Sequence, residues 1–328
     1  MEVRRIQITG GSSFMITLPK SWADSVGLKK NDPVTVSPQP NGGLLIAVSG
    51  SQASEPVPKR IDADAIPDAE ALYRCLIGAY IAGHNQIMVS SAGILKGSYL
   101  EAISKFTQTS IGMEIVEEEE DHILIKDLMD HSEILPQKNV RREYLLVKRM
   151  ISDTFKKMDP GETESLGEME TRDTEVDRLH WLVQRQCSIH QRDIALTNRM
   201  GIDLSSVFNC VSVSKTLERM GDHAVLVSRH LRSLNGSDLD QVSSALSLIG
   251  PDIQKTVDSA IESWFGSDNM KAEQLISGKK AMAQAIEAVF SDLADNETAM
   301  MVEGSCKRIS EYCTDIAESA INLSMEKI

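Results

Sequence analysis

Aromatic residues make up only 4% of the 328-residue chain, and fifteen Met stand against them. That balance suits helix packing, where unbranched side chains fill irregular gaps. Cysteine is also scarce. Five residues (Cys75, Cys187, Cys210, Cys306 and Cys313) form an odd set with no CxxC pair, which excludes a disulfide framework or a thiolate zinc site and reads as reduced core cysteine in a cytoplasmic protein. No apolar run approaches the roughly 18 residues that a membrane span needs, and the first residues lack a signal-peptide apolar core, so no membrane insertion is expected. Enzyme signatures are missing as well. No nucleophile and base stand in a recognisable constellation, and Gly10-Gly11-Ser12-Ser13 lacks the Lys-Ser/Thr ending of a phosphate-binding loop. The Glu-x-x-His steps on paired helices that a carboxylate-bridged metal enzyme needs are not found either.

Charge is unevenly spread. The formal net charge is −14, yet residues 1–60 carry seven Lys/Arg against four Asp/Glu. A basic head on an acidic body is the asymmetry of a nucleic-acid-contacting module joined to a regulatory domain, and the acidic body would repel duplex away from itself. In the head, residues 3–9 and Phe14–Leu18 alternate like short strands around the turn Gly10–Ser13. Pro19 can open a short helix at its first position, and Gly27 can close it in a left-handed conformation. Asn31 tolerates a positive φ in the turn after Lys29-Lys30. Two further strands, Pro33–Ser37 and Gly43–Val48, form a hairpin across Asn41-Gly42. So few residues make a marginal core for one chain, and pairing of two copies through interleaved strands is expected.

The run Arg4-Arg5 with alternating Ile6 and Ile8, Gly10-Gly11-Ser12, Ile16-Thr17-Leu18-Pro19-Lys20 and Val26-Gly27-Leu28-Lys29-Lys30-Asn31-Asp32 resembles the AbrB-like swapped-hairpin DNA-binding domain. Asn31 replaces the family's usual Gly. The resemblance implies a homodimer whose paired basic strands and loops contact DNA. Charge and position select Arg4, Arg5 and Lys20 as contacts, with Lys29 and Lys30 behind them.

Residues 51–60 are linker chemistry, small, polar and proline-bearing. Residues 61–135 then mix periods, with helices expected near 68–82 and 98–109, a strand at 86–90 and a hairpin over 112–127. This α/β segment reads either as a small sensor or as a spacer docked on the helical body. Glu117–Asp121 is a solvated hairpin tip. Asp127, Asp130, His131 and Glu133 are read as a surface patch at a helix end rather than a ligand site.

From residue 138 onward the pattern is helical. Apolar residues recur at three and four along Val140–Met158, and Asp159-Pro160-Gly161 interrupts. The stripe resumes over Leu166–Ile194 and Leu204–Leu231, closing one antiparallel three-helix bundle over 138–235. Three more helices, Leu239–Trp264, one running to about Leu293, and Glu297 to the end, make a second over 237–328. Carboxylates four apart stand one turn apart on one helix face. Asp173 and Asp177 do so on the second helix, Glu218 and Asp222 on the third, Glu311 and Asp315 on the sixth. Asp173 also falls on a core stripe, where a carboxylate wants a partner. These six are the candidate metal ligands. All-oxygen donors suit a divalent or trivalent cation, with Mg and Mn among the options. The competing reading pairs the acids with Arg172, Arg178 or Arg219 and needs no metal. His180, His190 and His223 read as hydrogen-bonded bundle residues.

Leu217-Glu218-Arg219-Met220-Gly221-Asp222-His223-Ala224, with Asp173-x-x-x-Asp177, resembles the signature of the PhoU family of phosphate-transport regulators, built from tandem three-helix bundles. That resemblance favours iron or zinc at the acidic faces and a phosphate transporter or its ATPase as partner. The second repeat departs from the pattern, with no glycine at Cys313, Tyr312 in place of the usual neighbour, and Glu287 lacking an Asp four residues on. With its head, the chain looks like an archaeal-type phosphate uptake regulator, mainly α, and not an enzyme. Two functions stay open: a DNA-binding regulator, or an adaptor whose head only pairs copies and which acts through protein contacts.

Overall fold

The computed structural model describes residues 3–11, 13–38, 42–48, 57–131, 134–158 and 162–325. The chain divides into two compact units, Met1–Val57 and Pro58–Ile328. In the first, β1 (Gln7–Thr9) pairs antiparallel with β2 (Ser13–Met15), followed by α1 (Lys20–Ser25) and the hairpin β3 (Val34–Pro38) and β4 (Leu44–Val48). Gly27 and Asn31 take the expected positive φ, 67° and 73°. Pro19 is the N-cap of α1 rather than its first residue. The expected turn residue Asn41 and most of the linker lie outside the described residues.

The second unit begins with β5 (Lys59–Asp62), which pairs parallel with β6 (Gln86–Ser90). Lys59 and Arg60, read from sequence as the end of the linker, are therefore strand residues, anchored by the one buried side chain of β5, Ile61. Between these strands runs α2 (Ala69–Ile81), whose N-cap Asp68 accepts from the Ala71 amide. Then come α3 (Gly97–Thr109), β7 (Met113–Glu118) and β8 (His122–Asp127), completing a sheet of order β5-β6-β8-β7. Ile87, Val89, Ile123 and Ile125 point to one face, where they bury against Leu72, Leu76, Ile103 and Phe106 of α2 and α3. The acidic residues 119–121 form the exposed turn of the β7–β8 hairpin.

The helical body has the expected periods. α4 (Pro136–Thr154), α5 (Met169–Arg192) and α7 (Leu204–Ser233) pack as one three-helix bundle, with short α6 (Ile194–Arg199) in the α5–α7 connection. α8 (Gly236–Gly266), α9 (Asn269–Phe290) and α10 (Glu297–Met325) form the second. α7 and α10, the last helix of each bundle, pack on each other, so both bundles share one continuous apolar core. The interruption at 159–161 is outside the described residues. Among the described residues, no helix is long and apolar enough to cross a membrane.

The α/β segment is docked on the bundle. Buried Arg185 of α5 donates from Nη1 to the Tyr80 carbonyl at 2.7 Å and from Nη2 to Asn85 Oδ1 at 3.1 Å, and it also binds Asp127. Asp127 and His131 are consequently interior residues, 2% and 11% exposed at the side chain and 2.7 Å apart. That corrects the surface-patch reading for these two; Glu133 is not among the described residues.

Candidate metal centre and nucleic-acid interface

In the first bundle, α5 and α7 run antiparallel and place their acidic steps side by side. The His180–Ser214 hydrogen bond, 2.9 Å from Nδ1 to Oγ, fixes the register near one end of the pair. Near the other, a β-carbon at Gly221 would lie 3.3 Å from Asp173 Oδ1, so α7 approaches that carboxylate where it has no side chain. Asp173, Asp177, Glu218 and Asp222 are gathered on this face. Burial and the like charges of Asp177, Asp222 and Glu218 push Asp173 up to about 7. Burial, Glu218 and Asp222 push Asp177 up to about 6. Burial and Glu218 raise Asp222 as well.

A fifth carboxylate comes from α4. Glu143 is fully buried, its Oε2 accepts from the Ser214 hydroxyl at 2.6 Å, and its Oε1 has no hydrogen-bond partner. Burial raises its pKa well above the carboxylate range, and the charges of Glu218 and Asp177 raise it further. Sequence reasoning passed over it by looking for acids in four-residue steps. The signal was present: Glu143 stands between Val140 and Val147 at three and four, on the same kind of core stripe that singled out Asp173.

The counter-ion is also one that sequence reading missed. Lys215 Nζ lies 2.7 Å from both carboxylate oxygens of Glu218. The three candidate arginines are engaged differently, Arg172 with Asp153 and Arg178 with Glu175, while Arg219 acts on Asp222 only through space. Asp173 Oδ1 is buried without a hydrogen-bond partner. The donor chemistry therefore fits a hard or intermediate cation. Among the described residues, no three of the His, Cys, Asp and Glu side chains already converge as metal ligands. Glu218 turns instead to Lys215.

The histidines are structural where hydrogen bonds hold them. His180 joins Ser214 and Gln184, and burial lowers it to about 4 with help from Lys215. His190 bonds Thr197. His223 packs 5.9 Å from Tyr312 at the α7–α10 seam, with Nδ1 buried and unbonded.

The second bundle is arranged otherwise. Glu311 binds Arg308 at 2.8 Å, Glu287 of α9 binds Lys307 at 2.8 Å, and Asp315 is exposed. Glu311 and Glu287 are thus each compensated by a cation of α10.

In the head, Arg5, Lys20, Lys29 and Lys30 are exposed, and Arg4 Nη1 lies 3.4 Å from Thr17 Oγ1. The Lys29 amide donates to Asp32 Oδ2 at 2.7 Å, which shapes the turn carrying both lysines. None of the described residues of 3–48 is buried, and Ile6, Ile8, Phe14, Ile16, Val36 and Leu44 are 51–76% exposed.

Two protein families match the chain. The PhoU domain family matches residues 140–231, the span from α4 to α7. The bacterial antitoxin MazE of antidote–toxin recognition matches residues 7–62. The chain is 24% identical over 132 residues to a phosphate-specific transport system accessory protein PhoU homolog of Clostridium acetobutylicum, covering 37% of this chain and 60% of that protein. It thus spans less than two thirds of that relative's length. A solved structure of PhoU from Pseudomonas aeruginosa superposes with a TM-score of 0.48 at 17% identity, over 58% of this chain and 96% of that one.

Proposed function

Since the chain carries a PhoU domain behind a MazE/AbrB-like N-terminal domain, we propose that it is a DNA-binding regulator of phosphate uptake, working as a homodimer. The observation that carries the reading is the head itself. Its basic side chains are exposed while its apolar ones have no core within one chain. A second copy laid on the apolar faces would bury them and align two sets of Arg4, Arg5 and Lys20 for phosphates on one duplex. Apolar faces of this kind favour pairing, and the positive charge favours DNA.

The body supplies the regulatory input. Asp173, Asp177, Glu218 and Asp222 would hold a divalent or trivalent cation, iron, zinc, Mg or Mn, whose charge compensates acids that burial and mutual repulsion hold in an unfavourable state. A phosphate transporter or its ATPase is the partner that the relative's name points to. Fluorescence anisotropy on duplex from a phosphate-transport promoter, over a salt series and against random duplex, tests the reading. Specific, salt-dependent binding that is lost without residues 1–50 is the expected result. Binding equal to random duplex would move the function to an adaptor acting through protein contacts.

A further inference from the structure

Buried Glu143 is costly to the fold. One of its oxygens has the Ser214 hydroxyl, 2.6 Å away, and the other has nothing. Leaving a buried polar atom unpaired is unfavourable, and more so when the group carries a charge. An apolar residue at this place on the α4 stripe would avoid that cost, so the carboxylate calls for another explanation.

Its surroundings provide one. Ser214 is held in place from behind: since its hydroxyl donates to Glu143, His180 Nδ1–H must donate to Ser214 Oγ, and Gln184 Nε2 donates to the other ring nitrogen, 2.6 Å away. This chain fixes which way Glu143 Oε2 points and leaves Oε1 free. The acids whose charge reaches Glu143 most strongly are Glu218 and Asp177, from the other two helices of the bundle. Lys215, next to Ser214 on α7, spans both oxygens of Glu218 and is itself 44% exposed. A flexible ammonium on the solvent side thus neutralises one acid of the cluster, and nothing cationic reaches the inner one by a hydrogen bond.

We infer that Glu143 is the inner ligand of the cation centre, and that Lys215 is its resident counter-ion, released from Glu218 when a metal cation binds. The inference rests on the cation reading of the acidic face and deepens it. With Glu143 engaged, the cation ties α4 to α5 and α7 instead of linking two helices. Hard-oxygen ligation from Glu143, Asp177 and Glu218 suits Mn²⁺ as a probe, and its electron paramagnetic resonance reports ligation directly.

The test uses the full chain, stripped with chelator and titrated with Mn²⁺ by calorimetry and paramagnetic resonance. Glu143→Gln keeps the shape and the Ser214 bond and is expected to weaken Mn²⁺ binding at least about tenfold, since even the loss of a group that only supports a ligand costs that much. Lys215→Met removes the competitor and is expected to tighten binding. Glu143→Asp, which keeps the charge but withdraws the oxygen, is the second variant should Gln disturb folding, and it too should bind more weakly. Circular dichroism of each stripped protein checks the fold. Unchanged Mn²⁺ affinity and spectrum in both Glu143 variants would overturn the inference while leaving the outer acids as ligands. Absence of Mn²⁺, Zn²⁺ and Fe²⁺ binding in the parent chain would overturn the cation reading itself, and this inference with it.

Discussion

Arg185 of α5 and Asp127 at the end of β8 meet with both groups out of water. Nε and Nη2 lie 3.0 and 2.5 Å from Asp127 Oδ2, and the side chains are 0% and 2% exposed. Residues 58 positions apart thereby fix the α/β segment to the first bundle. Buried pairs are weak evidence of net stabilisation, but removing one partner strands the other. Arg185→Met is therefore expected to destabilise the second unit by about 3–5 kcal/mol. Urea unfolding followed by circular dichroism checks it, and a loss below about 1 kcal/mol would mean that apolar packing alone holds the segment.

The same pair predicts an acid sensitivity. Burial pushes the Asp127 carboxyl up, but the His131 hydrogen bond and the Arg185 charge outweigh it and hold the group below its ordinary 3.8. A depressed folded pKa gives stability that is fully present above the unfolded value and is lost as pH falls through the folded one. The melting temperature should thus fall below about pH 4, and Asp127→Asn should lack this part of the slope. Equal slopes in parent and variant would assign the acid sensitivity to other carboxylates.

How much of the structure could be read from sequence differs by element. The long helices were legible because three-and-four stripes of ten or more residues have no other solution. β5 was not, since a four-residue strand with one buried side chain, directly after linker chemistry, shows no alternation to detect. Asp173, Asp177, Glu218 and Asp222 were legible as steps on one face, whereas Glu143 is a single acid whose role depends on other helices, its Ser214 partner lying 71 residues away. The Asp127–Arg185 pair had no local signature at all. Local spacing identifies a face; which faces meet is decided by the packing.

The acidic face should be less stable stripped than neutralised. Asp173 is pushed up to about 7 by burial and three neighbouring acids, so at pH 8 it is ionised against a penalty. Asp173→Asn removes that charge and is expected to stabilise the chelator-treated protein by roughly 1–3 kcal/mol, while lowering the metal retained in elemental analysis. A variant that is both less stable and equally loaded with metal would show that Asp173 serves packing instead.

For the head, Arg5→Ala tests phosphate contact without touching a buried group, since Arg5 is exposed. One phosphate contact fewer per protomer should weaken binding evenly across sequences and reduce the salt slope by about 1 per lost contact. An unchanged slope in anisotropy titrations would remove Arg5 from the interface, and Lys20→Ala would then be the comparison.

The two repeats should part company over metal. Glu311 is held by Arg308, three residues back on α10, in a pair with side chains 53% and 41% exposed, whereas Asp222 belongs to the face where Asp173 has an unbonded buried oxygen. A cation would have to displace an arginine, which keeps its charge at any ordinary pH, to reach Glu311. At Glu218 it would have to displace only a lysine, and the neighbouring acids would be there to supply further oxygens. Asp222→Ala is therefore expected to lower the metal content of the purified chain, and Glu311→Gln to leave both metal content and folding nearly unchanged. Equal losses in the two variants would show that the second bundle also builds a centre, with Arg308 swinging away to expose Glu311 and Asp315.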